Sequence, residues 1–506
     1  MTTLTPSPYQ AAVSLFIKKG KRHGFVSAVA GSGKTWTLAN IAAPAIRGSA
    51  LFCSFGKEIS LELGRVLPKN FKSQTIHALG FGMLKRSHDQ SELNPSKYKK
   101  IVRAFLQEMP DAPKSLIHLV ETDKVDLFSP LIKLADYARN TLVDAEDRDA
   151  ILDLAHHFEI EIQEEAEEYV LDSLPRILRV GREACSWEFD YTDCLWLAAT
   201  DPAIRPWKRY DWILVDEAQD LNAAQLATVL KALKQGGRLL FVGDPRQAIM
   251  GFAGADCDSV QTIVNTLECT ELPLSVCYRC PTSHLDLARE IVPHIENAPG
   301  AKLGTVETIN RSMLNDTLVE GDMVLCRSNA PLVELCFNLI ADGRPARIKG
   351  RKIGEGLIAA AKKIAKRRDF AGWNKFGESV DAWTARECKK IIKRSGDNED
   401  PRLEGITDRA MCLKTIWSRC EAECGRDFEA AIEDLFSDGV ASIQLSSVHR
   451  AKGLEAESVF ILCPELLPGP WARPGTWQFK QEENLHYVAL TRSLDALTFV
   501  ISPPRR

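Results

Sequence analysis

Between Phe25 and Ala43 an apolar run, FVSAV, gives way to AGSGK and then to TWTLANIAA. The first run reads as a buried strand and the last as a helix, so Gly31 and Gly33 fall in the turn that joins them. Such a turn lets backbone N–H groups close on phosphate oxygens at a helix N-terminus. Lys34 brings a point charge to the outer phosphates, Thr35 brings a hydroxyl for magnesium, and Ala30 and Ser32 complete the loop. The first position of the usual G-x-x-x-x-G-K-[ST] pattern holds Ala28 in place of glycine. A strand, a phosphate loop and a helix in this order restrict the fold to a parallel α/β sheet with ligands at the carboxyl ends of its strands. They leave the use of the phosphate open, since kinases, switches, transporters and motors share the loop.

The same strand-then-helix unit recurs in SALFCSFGKE, YDWILVDEAQD and RLLFVGDPRQ, which predicts a first α/β lobe. A second set, DMVLCRS, ASIQLSSVHRAKG, SVFILC and ALTFVIS, predicts a second. Two stretches with helical periodicity separate these strands, near 87–182 and 349–438, and read as insertions. The first contains Glu159, Glu161, Glu164, Glu165, Glu167 and Glu168, a run that would repel a phosphate backbone and reads as a solvated helix face. The second carries Lys362, Lys363, Lys366 and Arg367, which line one side of a helix and suit either a phosphate contact or a solvated face.

WILVDEAQD supplies a partner for the loop. Its apolar strand delivers Asp216 and Glu217 to a polar end, where Asp216 suits magnesium and Glu217 suits the orientation and deprotonation of a water. A water-activating glutamate favours hydrolysis over transfer to another acceptor. The net charge of −4 gives no basic excess, so any polyanion site is a local groove. The opening residues MTTLTPSPYQ lack the basic and apolar regions of a secretory signal, and no apolar run reaches the length of a membrane span. A cytoplasmic protein of a bacterial or phage-infected cell, or a nuclear one in a eukaryote, is expected, with no membrane partner. Fourteen irregularly spaced cysteines then read as reduced thiols. The lone pair Cys277 and Cys280 and the loose set Cys388, Cys412, Cys420 and Cys424 fall short of a metal-site pattern and read as buried small hydrophobes.

DEAQD, VGDPRQAIMGFAGAD, LPLSVCYRCP, SSVHRAKGLE and ENLHYVALTR, together with TPSPYQ, FCSFGKE, TIHALG and FDYTDCLWLA, run in a fixed order from Gln10 to Arg492. In that order they resemble the motifs of UvrD/Rep-type superfamily 1A helicases, nearest the branch of F-box DNA helicases and their phage and bacterial relatives. The resemblance covers both lobes and little of the helical insertions. It implies two RecA-like parallel-sheet lobes of the P-loop NTPase class: lobe 1A at 1–86 and 183–270, insertion 1B at 87–182, lobe 2A at 271–348 and 439–506, and a small insertion 2B at 349–438. It further implies ATP and Mg2+ as cofactors, and as partners single-stranded DNA and duplex with a single-stranded tail, besides replication, repair or recombination proteins. The chain would act as a monomer or weak oligomer and move 3′ to 5′.

Residue by residue, the resemblance assigns Gln10 to the adenine, Tyr278 to stacking on the base, and Gln247, Arg279 and Arg492 to the γ-phosphate, the arginines acting when the lobes close. Gly453 and Glu455 match the segment that meets the ribose. Phe55, Thr75, His77, Phe252 and His449 match single-strand contacts, where aromatic rings grip bases of any sequence. Met250 and Ala253 stand where the family often has tyrosine and arginine, Trp36 where some relatives have arginine, and Gly56 where asparagine is common. Three rivals remain. A P-loop kinase or small-molecule NTPase leaves the two arginines of the second lobe, TIHALG and VHRAKG unexplained. A factor that displaces proteins from DNA differs from a helicase in assay more than in sequence. A fused nuclease domain is not expected after Arg492.

Overall fold

The computed structural model describes residues 6–122, 124–158, 160–249, 259–395, 398, 400–420, 422–436 and 442–501. The chain divides into two units, one of Met1–Ala28 and Gly33–Leu274, the other of Val29–Ser32 and Ser275–Arg506.

The first unit is built on a six-stranded sheet of β1 (Gly24–Ala28), β2 (Ala50–Ser54), β3 (Phe71–Thr75), β4 (Tyr210–Val215), β5 (Leu233–Gly243) and β6 (Thr270–Leu274). All pairings are parallel and the order is β3-β2-β4-β5-β1-β6. Successive side chains leave opposite faces of a strand, and here both faces are covered. Phe25, Leu51, Ile213 and Phe241 enter one core while Val26, Phe52, Leu214 and Leu240 enter the other. Each such fully buried side chain stabilises the sheet by roughly 1.5–3 kcal/mol. Because every strand runs the same way, the loops after β1, β2, β3, β4 and β5 emerge along one edge, where the phosphate loop and DEAQD lie.

Between β3 and β4 the chain is helical, at Lys97–Glu108, Lys114–Glu121, Phe128–Thr141, Arg148–His157, Glu167–Ala184 and Tyr191–Thr200. The last helix opens with a capping box in which Asp190 and Asp193 each accept the other's backbone N–H. Asp193 also binds two buried cations, Lys97 at 2.6 Å and Arg139 at 2.9 Å. Of the acidic run, Glu161, Glu164, Glu165 and Glu168 are exposed and Glu168 pairs with Arg148, while Glu159 lies outside the described residues.

The second unit has its own six-stranded parallel sheet: β7 (Thr305–Asn310), β8 (Met323–Cys326), β9 (Ala346–Lys349), β10 (Ile443–Ser447), β11 (Ala456–Leu462) and β12 (Ser493–Ile501), in the order β7-β12-β11-β8-β10-β9. The α/β class and the pair of parallel sheets follow the sequence reading. Helices Arg351–Ala365, Phe376–Ser395, Pro401–Arg419 and Gly425–Leu435 lie between β9 and β10. They close on an aromatic cluster in which Phe376 and Phe428 are fully buried and Trp373 and Trp417 sit 5.4 Å apart. In the basic run Lys362 pairs with Glu429 at 2.8 Å and Arg367 with Asp369 at 2.9 Å, which suits a solvated, internally paired face. Every cysteine among the described residues is a free thiol, with Cys277, Cys280 and Cys412 buried, Cys388 and Cys420 half-buried and Cys424 exposed. No helix among the described residues is long and apolar enough to cross a membrane.

Candidate nucleotide and nucleic-acid sites

After β1 the backbone turns through Gly31 at φ 66° and Gly33 at φ 74°, a left-handed conformation that glycine adopts without steric cost. Helix Lys34–Thr37 begins directly after the second glycine, widens into a π turn at Leu38–Ala42 and ends at Ala45. In its first turn the Thr35 hydroxyl donates to Asp216 Oδ2 at 2.5 Å, and Lys34 Nζ lies 4.0 Å from Glu217 Oε1. The two motifs singled out separately in the sequence therefore meet. Asp216 is 3 % exposed, and burial, followed by the charge of Glu217, pushes its carboxyl up to about 6. A hydroxyl and a buried carboxylate side by side form a hard oxygen donor pair suited to Mg2+. Glu217 itself sits at φ 50°, a costly conformation for a residue with a side chain, so the turn after β4 fixes where its carboxylate points.

Gln247 follows β5 and donates through Nε2 to Asp244 Oδ2 at 2.8 Å. Gln10 occupies the first turn of helix Pro8–Lys19, where its Oε1 accepts the Ser7 N–H and its Nε2 donates to Thr37 Oγ1 at 3.2 Å. It is thereby tied to the helix that follows the phosphate loop. Along the same edge, Phe55 after β2 is 41 % exposed, Thr75 caps helix Ile76–Ser87 by accepting the Ala78 N–H, and His77 is exposed in that helix's first turn. Phe252, with Met250 and Ala253, lies outside the described residues.

In the second unit, which includes Val29–Ser32, the Ala30 N–H donates to the Tyr487 hydroxyl and the Tyr278 N–H to Gly31 O. Ser32 is buried and its hydroxyl donates to Val29 O. The Tyr278 ring is 49 % exposed and available for stacking. Arg279 Nη1 lies 3.5 Å from Glu455 Oε2, while its Nε and Nη2 are buried without an oxygen acceptor, beside the Cys280 sulfur. Arg492 is 1 % exposed and donates to Val488 O at 2.9 Å and Leu454 O at 3.4 Å. Arg279, Glu455 and Arg492 are thus gathered at the starts of β11 and β12. The segment between β10 and β11 passes from His449 at one edge of the sheet to Gly453, at φ 83°, and Glu455 at the other.

His449 borders a cavity of about 390 Å³ whose charged lining is Arg327, Lys352, Arg409 and Arg450 with Glu404 and Asp408. Burial, then the charges of Arg327 and Arg450, lower its imidazole pKa to about 3, so it stays neutral at physiological pH. Arg327 is held by a forked pair with the buried Glu482, at 2.7 and 2.9 Å. Sequence reasoning passed over Arg327 and Glu482, and also Gln219 and Asp244 beside Glu217. For Gln219 and Asp244 the signal was present, since both stand inside quoted motifs. Glu482 gave none.

Residues 10–268 match the family model of the UvrD/REP helicase N-terminal domain, about half of the chain. The chain belongs to the UvrD/REP helicase family. Residues 428–503 match the model of the UvrD-like helicase C-terminal domain, so the family's two halves fall one on each unit. The chain is 26% identical over 516 residues to F-box DNA helicase 1 of Gallus gallus, covering 93% of this chain and 46% of that protein. It is 24% identical over 509 residues to F-box DNA helicase protein 1 of Schizosaccharomyces pombe, covering 92% of this chain and 54% of that protein. To DNA helicase II of Escherichia coli it is 23% identical over 408 residues, covering 59% and 57%. The chain spans about half the length of these relatives.

Proposed function

We propose that this UvrD/REP family member is an ATP-driven motor that translocates 3′ to 5′ on single-stranded DNA and separates duplex strands, serving DNA replication, repair or recombination. The convergence of Lys34 and Thr35 with Asp216 and Glu217 carries this reading. Gly31, Gly33 and the neighbouring backbone hold the phosphates, and Lys34 reaches the outer ones. Thr35 and Asp216 hold Mg2+, which supplies positive charge to the phosphates. Glu217 takes the proton of the attacking water, and Gln247, Arg279 and Arg492 receive the charge that gathers on the γ-phosphate. Gln10 and Tyr278 hold the base, and Gly453 and Glu455 the ribose. The buried, acceptor-poor guanidinium of Arg279 supports its part, because such a group is stabilised by an anion.

For the track we assign Phe55, Thr75, His77 and His449, with Phe252 on the motif match alone. The cavity wall beside His449 supports this, since its four cations, Arg327, Lys352, Arg409 and Arg450, outnumber its two carboxylates, Glu404 and Asp408, and an excess of positive charge suits a phosphate backbone. The helices between β3 and β4 and between β9 and β10 are assigned as insertions 1B and 2B. The relatives' names, DNA helicase II and F-box DNA helicase, agree with DNA as the substrate. The test is strand separation of a duplex carrying either a 3′ or a 5′ single-stranded tail, with ATP and Mg2+. Unwinding of the 3′-tailed duplex alone is expected. Unwinding that favours the 5′ tail contradicts the polarity, and displacement of bound protein without any unwinding supports the remodelling role instead.

A further inference from the structure

We infer that Gln219 is a positioning residue for hydrolysis, its side-chain amide holding Glu217 in register with the turn that carries Asp244 and Gln247. The inference rests on Glu217 acting on the attacking water. Gln219 has no solvent exposure, and both ends of its amide are engaged. Nε2 donates to Glu217 Oε2 at 2.5 Å, and Oε1 accepts the Asp244 N–H at 3.1 Å. Only a carboxamide of this length offers both a donor and an acceptor, so the pairing fixes which way the amide faces.

The surroundings are shaped to admit it. A Cβ on Gly243 would stand 2.6 Å from Gln219 Oε1 and 3.0 Å from its backbone nitrogen, so β5 can end beside Gln219 only in glycine. From the other side, Ser259 Oγ donates to Gln219 O at 2.9 Å. Asp244 passes the contact on by accepting the Arg246 N–H at 3.0 Å and the Gln247 amide at 2.8 Å. A continuous hydrogen-bonded line thus runs Glu217, Gln219, Asp244, Gln247. It joins the residue assigned to the water to the residue assigned to the γ-phosphate. The angle of the Glu217 carboxylate decides whether a water in front of the phosphate is aligned for attack.

The experiment compares Gln219→Met, alone and combined with Glu217→Gln, in single-turnover ATP hydrolysis at saturating ATP. Affinities for a fluorescent ADP and for ADP with aluminium fluoride, and melting temperatures, are measured on the same proteins. Gln219→Met should lower the hydrolysis rate about tenfold or more, leave KM and ADP affinity within about twofold, and weaken the aluminium fluoride complex by the same factor as the rate. In the Glu217→Gln background it should change the residual rate by less than about twofold, because its effect passes through Glu217. Equal losses in both backgrounds, an equal loss of ADP affinity, or parent-like turnover of Gln219→Met overturns the inference. Parent-like turnover of Glu217→Gln alone overturns the reading beneath it, and this one with it. Should Gln219→Met not fold, Gln219→Glu keeps the acceptor for the Asp244 N–H and replaces the donor, and the same rate and affinity pattern is required of it.

Discussion

Replacing Asp193 by asparagine removes one charge from a cluster of buried, mutually paired ions. Asp193 is fully buried and accepts from Lys97 Nζ at 2.6 Å, Arg139 Nη1 at 2.9 Å, the Asp190 N–H at 3.1 Å and the Tyr98 hydroxyl at 3.4 Å. Lys97 and Arg139 are themselves 0 % and 2 % exposed. Asparagine keeps one oxygen acceptor and turns an N–H toward a cation. Breaking a buried pair in this way costs about 3–5 kcal/mol. The low end applies, because Arg139 retains Asp190 at 2.8 Å and Lys97 retains the Gly181 carbonyl at 2.6 Å. At about 2 °C per kcal/mol for a large domain, the transition of the first unit should fall by about 6 °C. Thermal melts followed by circular dichroism, with and without nucleotide to separate the units' transitions, measure this. Adding Lys97→Met should recover most of the loss by removing the stranded charge. A fall of less than about 2 °C, or no recovery in the double variant, would refute the view that the cluster's charges depend on one another.

Lys34→Ala and Glu217→Gln should each abolish steady-state ATP turnover, leaving at most a slow residual hydrolysis that only single-turnover conditions resolve, and Glu217→Gln should still bind a fluorescent ATP analogue, because its change lies at the water and not at the phosphates; parent-like turnover in either would remove the site assignment. His449 offers a test by pH. Its folded pKa of about 3 lies below the unfolded value of about 6.5, so the stability it contributes is complete above pH 6.5 and is lost as pH falls. Between pH 7 and pH 5 the parent should lose about 2 kcal/mol more than His449→Gln in urea unfolding of the second unit. Parallel losses would show that the imidazole is not held neutral.

The strands legible in the sequence share one physical property. FVSA, LFCS, WILV and LLFV in the first unit, and VLC, IQLSS, VFIL and LTFVI in the second, lie inside their sheets, covered on both faces, and so read as apolar runs. The strands passed over, Phe71–Thr75, Thr270–Leu274, Thr305–Asn310 and Ala346–Lys349, are the edges of the two sheets. An edge strand needs less apolar surface, and TELPL even tolerates Pro273, whose missing N–H costs nothing where no neighbour accepts it. The site divides similarly. Lys34, Thr35, Asp216 and Glu217 were legible because each pair is contiguous and follows an apolar strand. The role of Gln219 was not, since its partner Asp244 comes beside it only through the adjacency of β4 and β5. Arg327 and Glu482, 155 residues apart, likewise meet only in the folded chain, where helix Trp477–Leu490 carries Glu482 to the end of β8.

A motor differs from other NTPases in that its nucleotide hydrolysis is coupled to a nucleic-acid strand. The most direct measurement is the steady-state ATPase rate of the full chain with and without a single-stranded DNA oligonucleotide, using Glu217→Gln as the blank. Strong stimulation by DNA, absent in the blank, is the expected result. Turnover that Glu217→Gln removes but that DNA and RNA leave unchanged would contradict the motor and leave an NTPase with another partner.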